Sequence, residues 1–176
     1  MTATLRRGGA GDADALARVF RACVLRGARE AYSPAQRLAW AGPAPDPGRW
    51  RAKLADTDIR IIEDRGQAVA FAGLKDACFD LLFVHPDHGG RGHARRLHDR
   101  LVAEARAAGT RMLTAHASHV SRPVFAHLGW QAGAAAEAAR GGVMLGFTVM
   151  TLRLELPVQG VQGRTGGSSA RPGSSQ

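Results

Sequence analysis

Cysteine is scarce in this chain: Cys23 and Cys78 are the only two in 176 residues. Two thiols are too few for a disulfide framework and lack metal-site spacing, so a reduced, cytoplasmic protein is expected. Long apolar runs are missing as well. Nothing reaches the roughly 18 uninterrupted apolar residues that a membrane span needs. No apolar stretch follows the arginines of MTATLRRGGAGDADAL, which argues against a secretory signal. Two phosphate-binding signatures are also absent. There is no Gly-Lys-Ser/Thr triplet, and Gly90-Arg91-Gly92 is followed by His93, Ala94 and Arg95 instead of the last glycine of a dinucleotide fingerprint.

What is present is an ordinary globular balance, 45% hydrophobic and 22% charged, in a length that suits one domain. The formal charge of +9 raises nucleic acid, a membrane surface or an anionic cofactor as partners. The positive residues are nearly all arginines, scattered along segments that read as amphipathic helices. The basic stretch from Arg91 to Arg100 lacks the interleaved aromatics on which single-strand binders stack bases, so no nucleic-acid partner is expected. The last residues, PVQGVQGRTGGSSARPGSSQ, cannot bury enough apolar surface to offset ordering entropy. They divide the chain into a domain over 1–156 and a disordered tail over 157–176.

Hydrophobic spacing predicts a short strand over Thr2–Arg7, then a helix capped by Asp12 and carrying Leu16, Val19, Phe20 and Val24. Ser33-Pro34 opens a second helix, and the turn GPAPDPG leads to a third around Trp50 and Leu54. Strands follow at Ile59–Glu63 and Ala68–Leu74, joined by Asp64, Arg65 and Gly66, and at Cys78–Val84. A long helix from Gly92 to Ala108 ends at Gly109. A strand over Met112–Ala117, a helix over Ser121–Leu128 and a closing strand over Val143–Leu156, with a weaker one after Trp130, complete a mixed α/β sheet.

The densest signal is Leu81 to Leu97, LLFVHPDHGGRGHARRL. A buried strand stops, Gly89, Gly90 and Gly92 permit a tight bend, and a helix begins. Amides converging at a helix N-terminus suit a phosphate, and Arg91, Arg95 and Arg96 add positive charge.

The segment resembles the acetyl-CoA-binding motif of the GNAT-type N-acetyltransferases, whose loop reads Gln/Arg-x-x-Gly-x-Gly/Ala after a strand ending in Val-x-Pro. Val84-His85-Pro86, Gly92 and Ala94 match; Gly89 stands where Gln or Arg is preferred. TAHASHVSRPVFAHLGW, Thr114 to Trp130, resembles the next motif, which ends in Tyr-x-x-x-Gly-Phe, with Phe125 at the tyrosine position and Ser118 at that of a usual asparagine. Tyr32-Ser33-Pro34 through Trp40 and the ending Gly146–Met150 resemble a bacterial branch of the family.

The resemblance implies a GNAT-like fold: a mostly antiparallel sheet with a splayed strand pair and helices on both faces. It implies acetyl-CoA as co-substrate, an amine as acceptor, and direct attack without an acyl-enzyme. Backbone at Leu82, Phe83 and Val84 is expected to hold the pantetheine arm and polarise the thioester. Gly89, Gly90, Arg91, Gly92, His93, Ala94 and Arg95 are expected to hold the diphosphate, with Ser118 and Phe125 lining the arm.

Alternation puts Asp80 in phase with Leu82 and Val84, as a base or as a salt-bridged aspartate. The leaving thiolate lacks the family's tyrosine, so Tyr32 (the single tyrosine), Ser118, His116 and His119 remain candidate acids. Cys78 reads as a buried structural thiol. His85, His88, His93 and His98 read as neutral loop histidines, and no metal is expected. Tyr32, Trp40 and Trp50 fall on the acceptor side, at least two of them as core. No membrane partner is expected, and a homodimer is a candidate assembly. Phe125 and Gly89 leave an acyl-CoA sensor without turnover as the alternative.

Overall fold

The computed structural model describes residues 3–155. Thr2, the boundary expected at 156 and the tail over 157–176 lie outside them. The first strand, β1 (Thr4–Arg7), leads through a one-turn 3₁₀ segment into helix α1 (Ala13–Ala22). Asp12 does not cap that helix with its side chain, contrary to expectation. Its carboxylate instead accepts two hydrogen bonds from the Arg6 guanidinium, at 2.9 and 2.7 Å, and one from the Gly9 amide. A charged fork offers a carboxylate more than one helical N–H does.

The chain leaves α1 through a π-helical turn, Cys23–Gly27. Helix α2 (Pro34–Ala41) starts as predicted: Ser33 accepts the Gln36 amide, and Gln36 reaches back to the Ser33 amide. Helix α3 (Pro47–Asp56) opens on Asp46, which accepts the Arg49 amide.

β2 (Asp58–Asp64) and β3 (Gln67–Lys75) form a hairpin. Its turn is tighter than predicted, because Asp64 belongs to β2 and only Arg65 and Gly66, at φ 52° and 75°, make the bend. β4 (Cys78–Val84) follows with the predicted bounds. Helix α4 (His93–Ala107) and β5 (Met112–Ser118) complete one crossover, and α5 (Ser121–His127) follows it. The strand expected to be weak is a full element, β6 (Gln131–Arg140), and it pairs with β7 (Val143–Arg153). Its alanines hide it from hydrophobic periodicity, since the strand is exposed along nearly its whole length.

The seven strands run in the order β1-β2-β3-β4-β5-β7-β6. Every neighbouring pair is antiparallel except β4 and β5. On one face α1 and α3 bury Leu16, Phe20 and Trp50 against Ile59, Ile61, Phe71 and Leu81. On the other, Leu97 and Leu101 of α4 and Phe125 of α5 cover Ile62, Ala70, Ala72, Leu113 and Ala115. Fully buried side chains of this size stabilise by about 1.5–3 kcal/mol each. Arg60, itself buried, ties β2 to α4 through Glu104 at 2.6 Å and pairs with Asp58 at 2.6 Å. This sandwich holds the end of β4 and the start of α4 in fixed relation.

Candidate active site

The bend between β4 and α4 is built from a 3₁₀ turn, Pro86–His88, and three glycines. Gly90 and Gly92 take φ values of +71° and +76°, a region that a side chain resists. Gly89 does not need its freedom: at φ −60° it sits where any residue fits. The first helical bond runs from the Arg96 amide to the Gly92 carbonyl. The amides of Gly90, Arg91, Gly92, His93, Ala94 and Arg95 have no partner among the described residues. Such a run of donors at the positive end of a fifteen-residue helix is an anion cradle.

His93 stands in it nearly buried, both ring nitrogens without partners. Burial, and then the charges of Arg96, His88 and Arg91, push its pKa below the ordinary histidine value. His98 is elsewhere: buried in the core, it accepts the Trp130 indole N–H at 3.0 Å and contacts Asp99 at 2.8 Å.

β4 and β5 pair at only two positions, Cys78 with Thr114 and Phe79 with Ala115, and then part. The His85 amide donates to Val69 on β3. By strand alternation the amides of Leu82 and Val84 therefore face the open gap. The carbonyl of Val84 does so, since it accepts the Cys23 thiol at 3.1 Å. The amide of Phe83 points to β3, so of the three backbone positions expected to hold an arm only Leu82 and Val84 offer a donor. The Phe83 ring packs with Phe20, centroids 5.2 Å apart, on the other face of the sheet. A channel of about 210 Å³ fills the gap, lined by Cys23, Leu82, Val84, Ala94, Val120 and Val124. It joins the parted strands to the cradle at Ala94.

A larger cavity, about 1080 Å³, shares Leu82, Phe83, Ser118 and Ser121 with the channel and extends beneath α2 and α3. Asp80 lines it, but not by the alternation expected. Gly73 pairs with Leu81 and Leu74 with Phe79, so Asp80 is the extra residue of a β-bulge. The bulge places Phe79 in the α4 core and Leu81 in the α1–α3 core, and takes Asp80 out of phase with Leu82. Its carboxylate accepts the Lys53 ammonium of α3.

Tyr32 is buried, its hydroxyl donating to the Gly146 carbonyl at 3.2 Å and accepting the His119 amide at 3.0 Å. Ser118 accepts the amide of Ser121, the first residue of α5, at 3.1 Å. Phe125 lies between Phe79 and Trp130, centroids 5.5 and 4.9 Å away. His116 lines the cavity beside Phe147. Burial raises the pKa of both cysteines, Cys23 to about 12, so neither is a ready thiolate. Trp50 is wholly core, whereas Trp40 packs between Phe20 and Tyr32 at the cavity wall.

Residues 29–154 match the family described as the acetyltransferase (GNAT) domain. The chain belongs to the GNAT acetyltransferases. It is 33% identical over 121 residues to an uncharacterized N-acetyltransferase, YafP, of Escherichia coli strain K12, covering 69% of this chain and 76% of that protein. A GCN5-related N-acetyltransferase from Rhodopseudomonas palustris shares 34% identity and a TM-score of 0.83, with 88% of this chain and 97% of the other covered. The acetyltransferase yncA of Salmonella typhimurium, solved with acetyl-CoA, has the same fold at 24% identity and a TM-score of 0.62, covering 88% and 95%.

The acetyltransferase therefore carries the bent loop, the parted strands and a cavity on one line. Lys53, Arg49, Arg140 and Cys23 also face this space, and sequence reasoning passed over all four. Lys53 had one available signal: with Asp80 it is an opposite charge on an element already assigned to the acceptor side. Among the described residues no three or more His, Cys, Asp or Glu gather as metal ligands, and no helix is long and apolar enough to cross a membrane.

Proposed function

We propose that this GNAT enzyme transfers an acetyl group from acetyl-CoA to a primary amine by direct attack within a ternary complex. The observation that carries the reading is the run of unpartnered amides from Gly90 to Arg95, continuous through the β4–β5 gap with the larger cavity. The cradle takes the diphosphate, with Arg91 and Arg95 beside it, and the gap takes the pantetheine arm on the amides of Leu82 and Val84. The yncA neighbour, whose structure holds acetyl-CoA, supports the same use of the fold here.

An alkylammonium has a pKa near ~10.4 and must lose a proton before it attacks. Asp80 takes that proton, directly or through a water, while Lys53 holds the carboxylate in place. The amine nitrogen then bonds to the carbonyl carbon, the developing oxyanion is met by the gap-facing amides, and the carbon–sulfur bond breaks as the nitrogen gives up its second proton to water. With Phe125 in place of a phenol, the thiolate takes its proton from solvent; a thiol pKa of about 8.5 requires no strong acid. Tyr32 positions the ends of β5 and β7, and Ser118 positions α5 beside the arm. The two free thiols fit a reducing, cytoplasmic setting.

Calorimetry with acetyl-CoA and thiol release across a panel of amines test the proposal. Binding in the micromolar range and amine-dependent release are expected, and absence of binding overturns it. Phe125 favours one second reading, an acyl-CoA sensor; it predicts binding with no release for any amine.

A further inference from the structure

Several arginines that hold the fold meet carboxylates. Arg6 pairs with Asp12 and Glu63, Arg26 with Asp87, and Arg60 with Asp58 and Glu104. Arg49 and Arg140 depart from this. Both line the large cavity, and among the described residues neither forms an ion pair. They lie 91 residues apart in sequence (140 − 49), in the first turn of α3 and at the last residue of β6.

Both side chains are exposed at the cavity, and each is held by contacts other than an ion pair. The Arg49 guanidinium lies over the Phe20 ring, its carbon 4.8 Å from the centroid, with the Trp50 ring at 5.8 Å. Arg140 donates to the Ala139 carbonyl at 2.9 Å, and the next residue, Gly141, lies against α2 so closely that an added Cβ would meet Ala39 at 3.3 Å. The turn that carries Arg140 is thus docked on α2.

The two positive groups sense one another: burial first, and then the charge of Arg140, hold the Arg49 pKa below its usual value. Asp46 and Asp80 act on Arg49 in the opposite direction. Asp80 is paired with Lys53, and Asp46 accepts the Arg49 backbone amide without an ion pair to its guanidinium. Two guanidinium groups facing one cavity, neither of them paired with the Asp46 or Asp80 carboxylate that also lines it, form a place where an anion gains charge-assisted hydrogen bonds.

We propose that Arg49 and Arg140 clamp an anionic group of the acceptor, so that the substrate is an amine that also carries a carboxylate or a phosphate at the end away from its attacking nitrogen. The proposal rests on reading the cavity as the acceptor site of acetyl transfer. It adds a specificity determinant in which Lys53 and Asp80 serve the nitrogen end and the two arginines serve the far end.

The test compares matched pairs: omega-amino acids, whose carboxylate lies at the far end from the amine, against their carboxamides, and aminoalkyl phosphates against the corresponding amino alcohols. Thiol release gives kcat/KM for each, and calorimetry gives the affinity of each for the protein. The anionic member is expected to be favoured at least about tenfold, the worth of one charged hydrogen-bonded contact. The stronger of the two arms identifies carboxylate or phosphate.

In Arg49→Gln and Arg140→Gln the preference should shrink toward unity, and in Arg140→Glu it should invert, with acetyl-CoA affinity intact in all three. Equal kcat/KM and equal affinity within the pairs overturn the clamp, as does a preference that survives all three substitutions. If no pair turns over, the affinities alone decide, and failure of every anionic amine to bind also overturns it. Loss of acetyl-CoA binding in the unsubstituted protein is a separate result, which strikes the acetyl-transfer reading itself.

Discussion

The two ends of the site are built on opposite plans. The amides of the cradle and those that face the channel come from one continuous stretch, β4 through the start of α4, and their donors are backbone groups. The larger cavity is walled by α2, α3, β4, β6 and β7 among others, and its chemistry is carried by side chains brought together from Tyr32 to Phe147. A backbone site depends on conformation, so glycine is its signature. A side-chain site depends on which residues happen to face inward, and each can change alone.

That contrast sets the order of expected effects. The sharpest break is Gly92→Val, since valine resists the +76° φ. Acetyl-CoA affinity should fall at least about 100-fold, because several charged contacts depend on that one conformation. A Cβ at Gly92 meets nothing within 4 Å, so the fold should survive, with unfolding still cooperative. Unchanged calorimetric affinity would show that the loop is not the cradle.

On the acceptor side, Asp80→Asn should lower kcat by about 100-fold, the usual worth of a positioned base, with acetyl-CoA affinity retained. A loss confined to KM would reassign Asp80 to substrate binding. Next in size is Tyr32→Phe, which leaves the Gly146 carbonyl and the His119 amide without their partner. It should cost about 1–3 kcal/mol in denaturant unfolding and leave the shape of the pH–rate profile unmoved. A shifted alkaline limb would instead make Tyr32 the acid.

The smallest effect blurs the division, because it concerns a side chain within the backbone site. The pKa of His93 is lowered in the folded protein, so below the ordinary value near ~6.5 the folded chain holds fewer protons than the unfolded one. Stability should therefore decline as pH falls through that value. A diphosphate at the cradle favours the charged ring and raises its pKa, so binding near pH 6 should take up a fraction of a proton. Calorimetry in two buffers of unlike ionisation enthalpy measures this uptake, and His93→Gln should remove it.

The same contrast explains what could be read from the chain alone. The bounds of β4, the Ser33 cap and the glycine bend are local, and local rules found them. The cap expected of Asp12 failed because Arg6 competes for that carboxylate from a neighbouring strand. The phase of Asp80 failed because a bulge is a property of two paired strands, and no spacing within Cys78–Val84 announces it. Phe83 went astray by the same route: which amides face a gap is settled by pairing with β3. Arg49 and Arg140 were invisible among many scattered arginines, since only the docking of the Gly141 turn on α2 brings them to one wall.

The two-residue seam between β4 and β5 has one more consequence. Sheets normally keep unsatisfied strand edges at their margins, where charge or a covering loop guards them. Here such an edge opens in the interior, along Leu82 to Val84, and it invites any extended chain that can slide in. The unliganded enzyme should therefore self-associate more readily on storage than the liganded one, with its ligand serving as a plug against aggregation.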